Sequence, residues 1–95
     1  MLTHIVSFKY KGETPASARQ EHRDRLRALS SIAGVESLLV GEDVVGSPRS
    51  YDTGLVVSFI DRAALDSYQR HPEHVPVAQL GVSLSEHIVA VDFES

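Results

Sequence analysis

Two histidines bracket a proline shortly after a tyrosine in this chain, in the run Tyr68-Gln69-Arg70-His71-Pro72-Glu73-His74, and a third, His4, opens the first apolar segment. An imidazole titrates near pH 6.5, so a histidine held in a pocket acts as a general base at neutral pH. A tyrosine hydroxyl beside it can donate to a substrate carbonyl or orient the ring. His4, Tyr68, His71 and His74 are therefore candidates to converge on one site, with a histidine as base. Each has a structural alternative. His74 can cap backbone groups of the proline-containing turn, His71 can be a surface turn residue, and Tyr68 and His4 can be core side chains. His22 and His87, the other two of five histidines, read as structural or exposed.

Other chemistries find little support. The chain has no cysteine, which removes thiolate nucleophiles, thiolate metal sites and disulfides. His71-x-x-His74 has a zinc-like spacing, but a structural zinc needs four ligands and Pro72 breaks the helical face that aligns such a pair. No metal site is expected, and proton abstraction by histidine needs no cofactor. Ser83, Ser85 and His87 lack a glycine-framed nucleophile elbow. Gly41, Gly46 and Gly54 are too scattered for a phosphate loop. The net charge is −4 and the isoelectric point about 5.6, which argues against nucleic acid as a partner. The arginines between Arg19 and Arg27 are interrupted by Glu21 and Asp24 and read as a solvated face. No apolar run approaches the ~18 residues of a membrane span. No secretory leader is visible at the N-terminus, so the cytoplasm is the expected location.

The elements that must position the candidates follow from periodicity. Leu2 to Tyr10 alternates with period two, as a strand does, with His4, Val6, Phe8 and Tyr10 on one face. Thr14-Pro15 opens a helix, Thr14 as cap, and Ala18, His22, Leu26, Leu29 and Ala33 form its apolar stripe. Gly34 ends it. Val35 to Glu42 reads as a second strand, Asp43 to Ser50 as a loop, and Tyr51 to Ile60 as a third strand. Asp61 caps a second helix carrying Ala64, Leu65 and Tyr68, which Pro72 terminates. A short helical turn from Pro76 to Leu80, closed by Gly81, precedes a last strand from Glu86 to Phe93. Ninety-five residues make one domain. The order β-α-β-β-α-β predicts an α+β, ferredoxin-like sandwich: four antiparallel strands with the helices on one face.

The strands are apolar on both faces. Leu55, Val57 and Phe59 point one way, Val56 and Ile60 the other; Leu38-Leu39-Val40 and Ile88-Val89-Ala90-Val91 do the same. A helix-covered antiparallel sheet needs only one apolar face. A second copy shielding the other is the expected solution, a two-fold homodimer joined through its sheets.

Several segments resemble the stress-responsive dimeric A/B-barrel family: His4-Ile5-Val6-Ser7-Phe8-Lys9-Tyr10, Tyr51 to Phe59, Leu65 to Val75 with its His-Pro-x-His ending, and Val89 to Phe93. The likeness covers essentially the whole chain and implies a ferredoxin-like protomer whose dimer closes into a barrel. Some plant members are polyketide cyclases. There the second His of His-Pro-x-His acts as base beside the helix tyrosine, and a first-strand His assists. Those roles fall here on His74, Tyr68 and His4; where the cyclases carry a further third-strand His, this chain has Thr53. The expected role is that of a homodimer binding a small, partly apolar molecule in a pocket between sheet and helices, with His71, Thr53 and Phe8 lining it. The alternative is a cofactor-independent, cyclase- or isomerase-like enzyme. A cavity with His74 and Tyr68 within hydrogen-bond reach favours chemistry; a filled interior favours a structural role.

Overall fold

The computed structural model describes residues 1–95. Strand β1 (Leu2–Tyr10) is followed by helix α1 (Ala16–Ala28), which tightens into a 3₁₀ turn (Leu29–Ser31). Strands β2 (Val35–Glu42) and β3 (Thr53–Phe59) form a hairpin, and helices α2 (Arg62–Arg70) and α3 (His74–Leu84) lead into β4 (Ser85–Glu94). The sheet is antiparallel throughout, in the order β2-β3-β1-β4. This is the ferredoxin-like arrangement, with a third helix added.

The alternation of β1 decides where the core lies. Leu2, His4, Val6, Phe8 and Tyr10 are all buried, as are Thr53, Leu55, Val57 and Phe59 on β3. Leu26, Leu29, Leu65, Tyr68 and Val77 close over them. Asp61 caps α2 as expected, its carboxylate accepting from Ala64 N–H at 2.9 Å. Residue His71, before Pro72, is extended, so the helix stops there. Gly34 turns the chain with φ of +96°.

Four expectations change. Thr14 does not cap α1: its hydroxyl donates to the carbonyl of Leu84 at 3.1 Å, one of the free acceptors at the end of α3. The third strand begins at Thr53 and ends at Phe59, leaving Ile60 exposed beyond it. The arginines of α1 are not all solvated, because Arg23 is buried and its guanidinium donates to Thr53 Oγ1 at 2.9 Å. The short turn after Pro76 is an eleven-residue helix. Pro76 sits in its first turn, where a missing N–H is harmless. Gly81 lies inside this helix instead of ending it: a Cβ there would stand 3.0 Å from His22 Nε2 and 3.1 Å from the Phe8 ring. Glycine is needed for α3 to approach α1 and β1 this closely.

The outer face carries residues in register across all four strands. Leu39, Val56, Ile5 and Val91 form one row, and Gly41, Gly54, Ser7 and Val89 the next. Leu39, Val89 and Val91 are more than half exposed.

Gly81→Ala tests the packing of α3. Helix propensity alone favours Ala by about 1 kcal/mol, whereas overpacking costs about 1–3 kcal/mol. His22 is fully buried and held by Tyr10, so it has little room to yield. A net loss of up to about 2 kcal/mol in urea unfolding is expected, against no loss for Ala at Gly12, which stands in open space.

Candidate functional site

The polar groups of the core collect at the two ends of β1. At one end the antiparallel register sets His4 directly beside Asp92 of β4, and His4 Nδ1 hydrogen-bonds the Asp92 carboxylate. The ring of His4 packs edge-on to Tyr68, with centroids 6.1 Å apart. Tyr68 in turn packs against His74, with centroids at 4.4 Å. Helix α2 presents Tyr68 inward, and the Pro72 turn brings the first residue of α3 back over it.

His74 Nδ1 donates to the carbonyl of Gln69 at 3.2 Å. That bond fixes the neutral tautomer and leaves Nε2 with a free lone pair. Burial holds the imidazole below its ordinary pKa, and the neighbouring His4 and His71 add to this; the Gln69 carbonyl pulls the other way. Tyr68 is completely buried, and its hydroxyl has no partner in the protein. Burial pushes its pKa up to about 12, so it stays a proton donor.

The space directly between sheet and helices is filled by Tyr68, Phe59, Val57 and His22, so the expected interior pocket lies outside it. Open space flanks the cluster as two grooves that share Gln69. One, of about 400 Å³, runs along α3 from His74 past Val75, Ala78 and Val82. The other, of about 370 Å³, lies between α2 and β4 and is lined by Leu2, Leu65, Asp92 and Phe93. Helix-side residues Ile88, Ala90 and Asp92 of β4 stay uncovered beside them.

His4, Tyr68 and His74 are thus brought together. His71 stands next to them as a turn residue: its Nδ1 accepts from Glu73 N–H at 3.0 Å, and its carbonyl accepts from His74 and Val75. It belongs to no cluster of three metal-ligating side chains. Thr53 and Phe8 do not join the group. They lie four residues along β1, roughly 13 Å away, in the second polar cluster. There the Tyr10 hydroxyl meets His22 Nδ1 at 2.7 Å and Thr53 Oγ1 at 3.0 Å, Arg23 also donates to Thr53, and Arg23 pairs with Glu42 at 3.5 Å. Phe8 packs edge-on to His22 at 4.7 Å. With its hydroxyl oxygen engaged twice, Thr53 serves packing.

Sequence reasoning missed Asp92 and Gln69. Asp92 was within reach: it shares the alternation of Ile88 and Ala90 on the last strand, on the face that meets His4. Gln69 gave no signal, since its backbone carbonyl is what orients His74.

Residues 2–95 match the stress responsive A/B barrel domain. The chain belongs to that family. Among solved structures, this A/B-barrel domain is similar to a dimeric ferredoxin-like protein of unknown function from Thermobifida fusca, at 21% identity and a TM-score of 0.90, covering 99% of this chain and 90% of that one. A dimeric ferredoxin-like protein of unknown function from Jannaschia sp. CCS1 is 28% identical, with a TM-score of 0.84 and coverages of 99% and 98%. A hydroxynitrile lyase from Passiflora edulis is 19% identical, with a TM-score of 0.85 and coverages of 97% and 90%, a likeness of fold. No curated protein matched.

The sealed cluster gives this A/B-barrel domain an acid-sensitive core. Burial first, then the Arg23 and Arg25 charges, lower the His22 pKa from 6.5 to about 4. The unfolded chain therefore takes up a proton that the folded one refuses between these values. The contribution of His22 to stability should be full above about pH 7 and fall as pH drops towards 4, by about 3 kcal/mol. Urea midpoints measured across this range should show the slope, and His22→Gln should flatten it.

Proposed function

We propose that this chain works as a homodimer that binds a small, partly apolar molecule in the grooves where α2, α3 and β4 meet. One observation carries the reading: His74 offers a free ring nitrogen at a groove wall while the adjoining Tyr68 hydroxyl is buried without a partner. A buried unpaired hydroxyl costs about 1–3 kcal/mol. A ligand carbonyl or hydroxyl satisfies that group once the sealed ring shifts to open it to the groove beside His74. The apolar strip of Val75, Ala78 and Val82 suits the rest of such a molecule. Self-association is supported by the apolar row across the outer sheet face and by the dimeric relatives.

A second reading is cofactor-independent enzyme chemistry of the cyclase or isomerase kind. The tautomer of His74 favours it: a free Nε2 can take a proton from a carbon beside a carbonyl, and Tyr68, once opened to the groove, can donate to the oxygen on which charge develops. The pair of His4 with Asp92 supplies a second polar group at the same place.

Tyr68→Phe separates binding from stability. Removing an unsatisfied hydroxyl leaves folding stability unchanged or raises it by up to about 1 kcal/mol. Affinity for a bound small aromatic ketone or β-keto acid, read by NMR titration of a probe panel, should fall about tenfold. An unchanged affinity, or a panel without any binder, defeats the reading. His74→Ala should keep the dimer intact, as sedimentation shows, and abolish deuterium exchange at the carbon beside the carbonyl of a bound probe. Exchange that persists in this variant removes the enzyme reading; unfolding of the variant makes His74 a structural cap.

A further inference from the structure

The groove along α3 restricts the class of molecule it can hold, an inference that rests on the small-molecule reading above. Six of its seven lining residues lie on one face of α3, in two ridges of four-residue spacing: His74, Ala78 and Val82, beside Val75, Gln79 and Ser83. Val75 and Val82 are 38% and 66% exposed. From His74 to Val82 the run is about 12 Å long at the rise of an α-helix. At its far end the Ser83 hydroxyl donates to the carbonyl of Leu80 at 2.7 Å and is already satisfied. The unmet hydrogen bonding therefore sits at the His74 end, and the other end suits a plain apolar tail.

Charge divides the two grooves. Arg62, Asp66, Asp92 and Glu94 all line the one between α2 and β4. None of the chain's nine lysines and arginines, and none of its thirteen acidic residues, lines the one along α3. An ionised head group entering there gives up hydration and finds no counter-charge. Hydrogen bonding selects in the same direction. His74 Nδ1 donates to the Gln69 carbonyl, so the neutral ring presents Nε2 as an acceptor. A carboxylate only accepts, and would set lone pair against lone pair. A hydroxyl donates to Nε2 and keeps its own lone pairs for the Tyr68 hydroxyl, which is buried without a partner on the ring packed against His74. We propose that the α3 groove takes an uncharged alkyl hydroxyl compound, its O–H on His74 Nε2 and its unbranched tail along Val75, Ala78 and Val82, and rejects the ionised carboxylate of the same length.

Matched probes decide it: 1-octanol, its isomer 1-methoxyheptane, which has no O–H, and octanoate, each titrated by NMR at about pH 8, where His74 is neutral. Octanol should move the methyl signals of Val75, Ala78 and Val82. It should bind at least tenfold tighter than octanoate and about fivefold tighter than the ether, the worth of one hydrogen bond. Shortening the alcohol should weaken binding by roughly two- to fourfold per methylene. Val82→Asp, at an exposed position, should weaken octanol at least tenfold with an unchanged circular dichroism spectrum. Octanoate or the ether binding as tightly as octanol overturns the proposal, as do shifts confined to Ile5, Val89 and Val91 of the outer sheet face or an unaltered affinity in Val82→Asp. An aromatic ketone that binds at His74 where octanol does not overturns this ligand class and leaves the small-molecule reading standing. No binding by any probe removes both.

Discussion

The central strand β1 imposes the constraint on which the rest depends. It is flanked on both sides, so every second side chain from Leu2 to Tyr10 goes into the core, and two of these five are polar. A buried polar atom without a partner is expensive, and the residues around each end of β1 follow from that. His4 is answered by Asp92, its register neighbour. Tyr10 is answered by His22 and Thr53, and Thr53 in turn receives Arg23. The two clusters end differently. Around Tyr10 the groups are locked under α1, with Gly81 pressed against His22. Around His4 the ring of Tyr68 is sealed in, yet its hydroxyl has no partner and the adjoining His74 reaches a groove. Each cluster leaves one buried polar atom without a partner, His22 Nε2 in the first and the Tyr68 hydroxyl in the second; in the second, His74 also reaches a groove.

The same alternation governs the opposite face. Side chains that leave the core at every other position emerge in rows, and the row through Ile5 is apolar across four strands. A domain of this size buries only about two thirds of its unfolded surface. Helices α1, α2 and α3 all lie on the inner face, so nothing in the protomer shields the outer one. The glycine pair at Gly41 and Gly54 is explained by neither the protomer's turns nor its core, since neither position needs positive φ or close internal packing.

How much of this was readable in the sequence depended on the range of the interaction. Period-two alternation, the Asp61 cap, Pro72 and Gly34 are local signals, and each placed an element boundary or a face. Helix α3 was not legible because Pro76 and Gly81 look like breakers: the proline is tolerated only for lying in the first turn, and the glycine is required by His22 and Phe8 from distant segments. Arg23 sits beside the apolar stripe of α1, and only Thr53, thirty residues on, draws it inward. Asp92 and His4 are separated by 88 positions. Their pairing follows from strand order, which the β-α-β-β-α-β pattern does supply, so this half of the site was legible in principle. The bond from His74 to the Gln69 carbonyl depends on the geometry of the turn and left no trace in residue types.

Desolvation acts on the two central groups in complementary ways. The shielding that lowers the proton affinity of His74 keeps it neutral near pH 7, ready to accept a proton but a weaker base for it. Such a base removes a proton only from carbon already acidified by a neighbouring carbonyl. The same shielding raises the pKa of Tyr68, so its hydroxyl remains protonated where charge on that carbonyl oxygen develops. In the enzymatic reading the limited basicity of one residue is offset by the donor strength of the other. In the binding reading the same pair selects a ligand that offers an acceptor to Tyr68 and a donor to His74. Both readings require the polar end of the molecule to lie at His74 and its apolar body along α3, because His74 and the valine strip line one groove and the buried Tyr68 ring packs against His74.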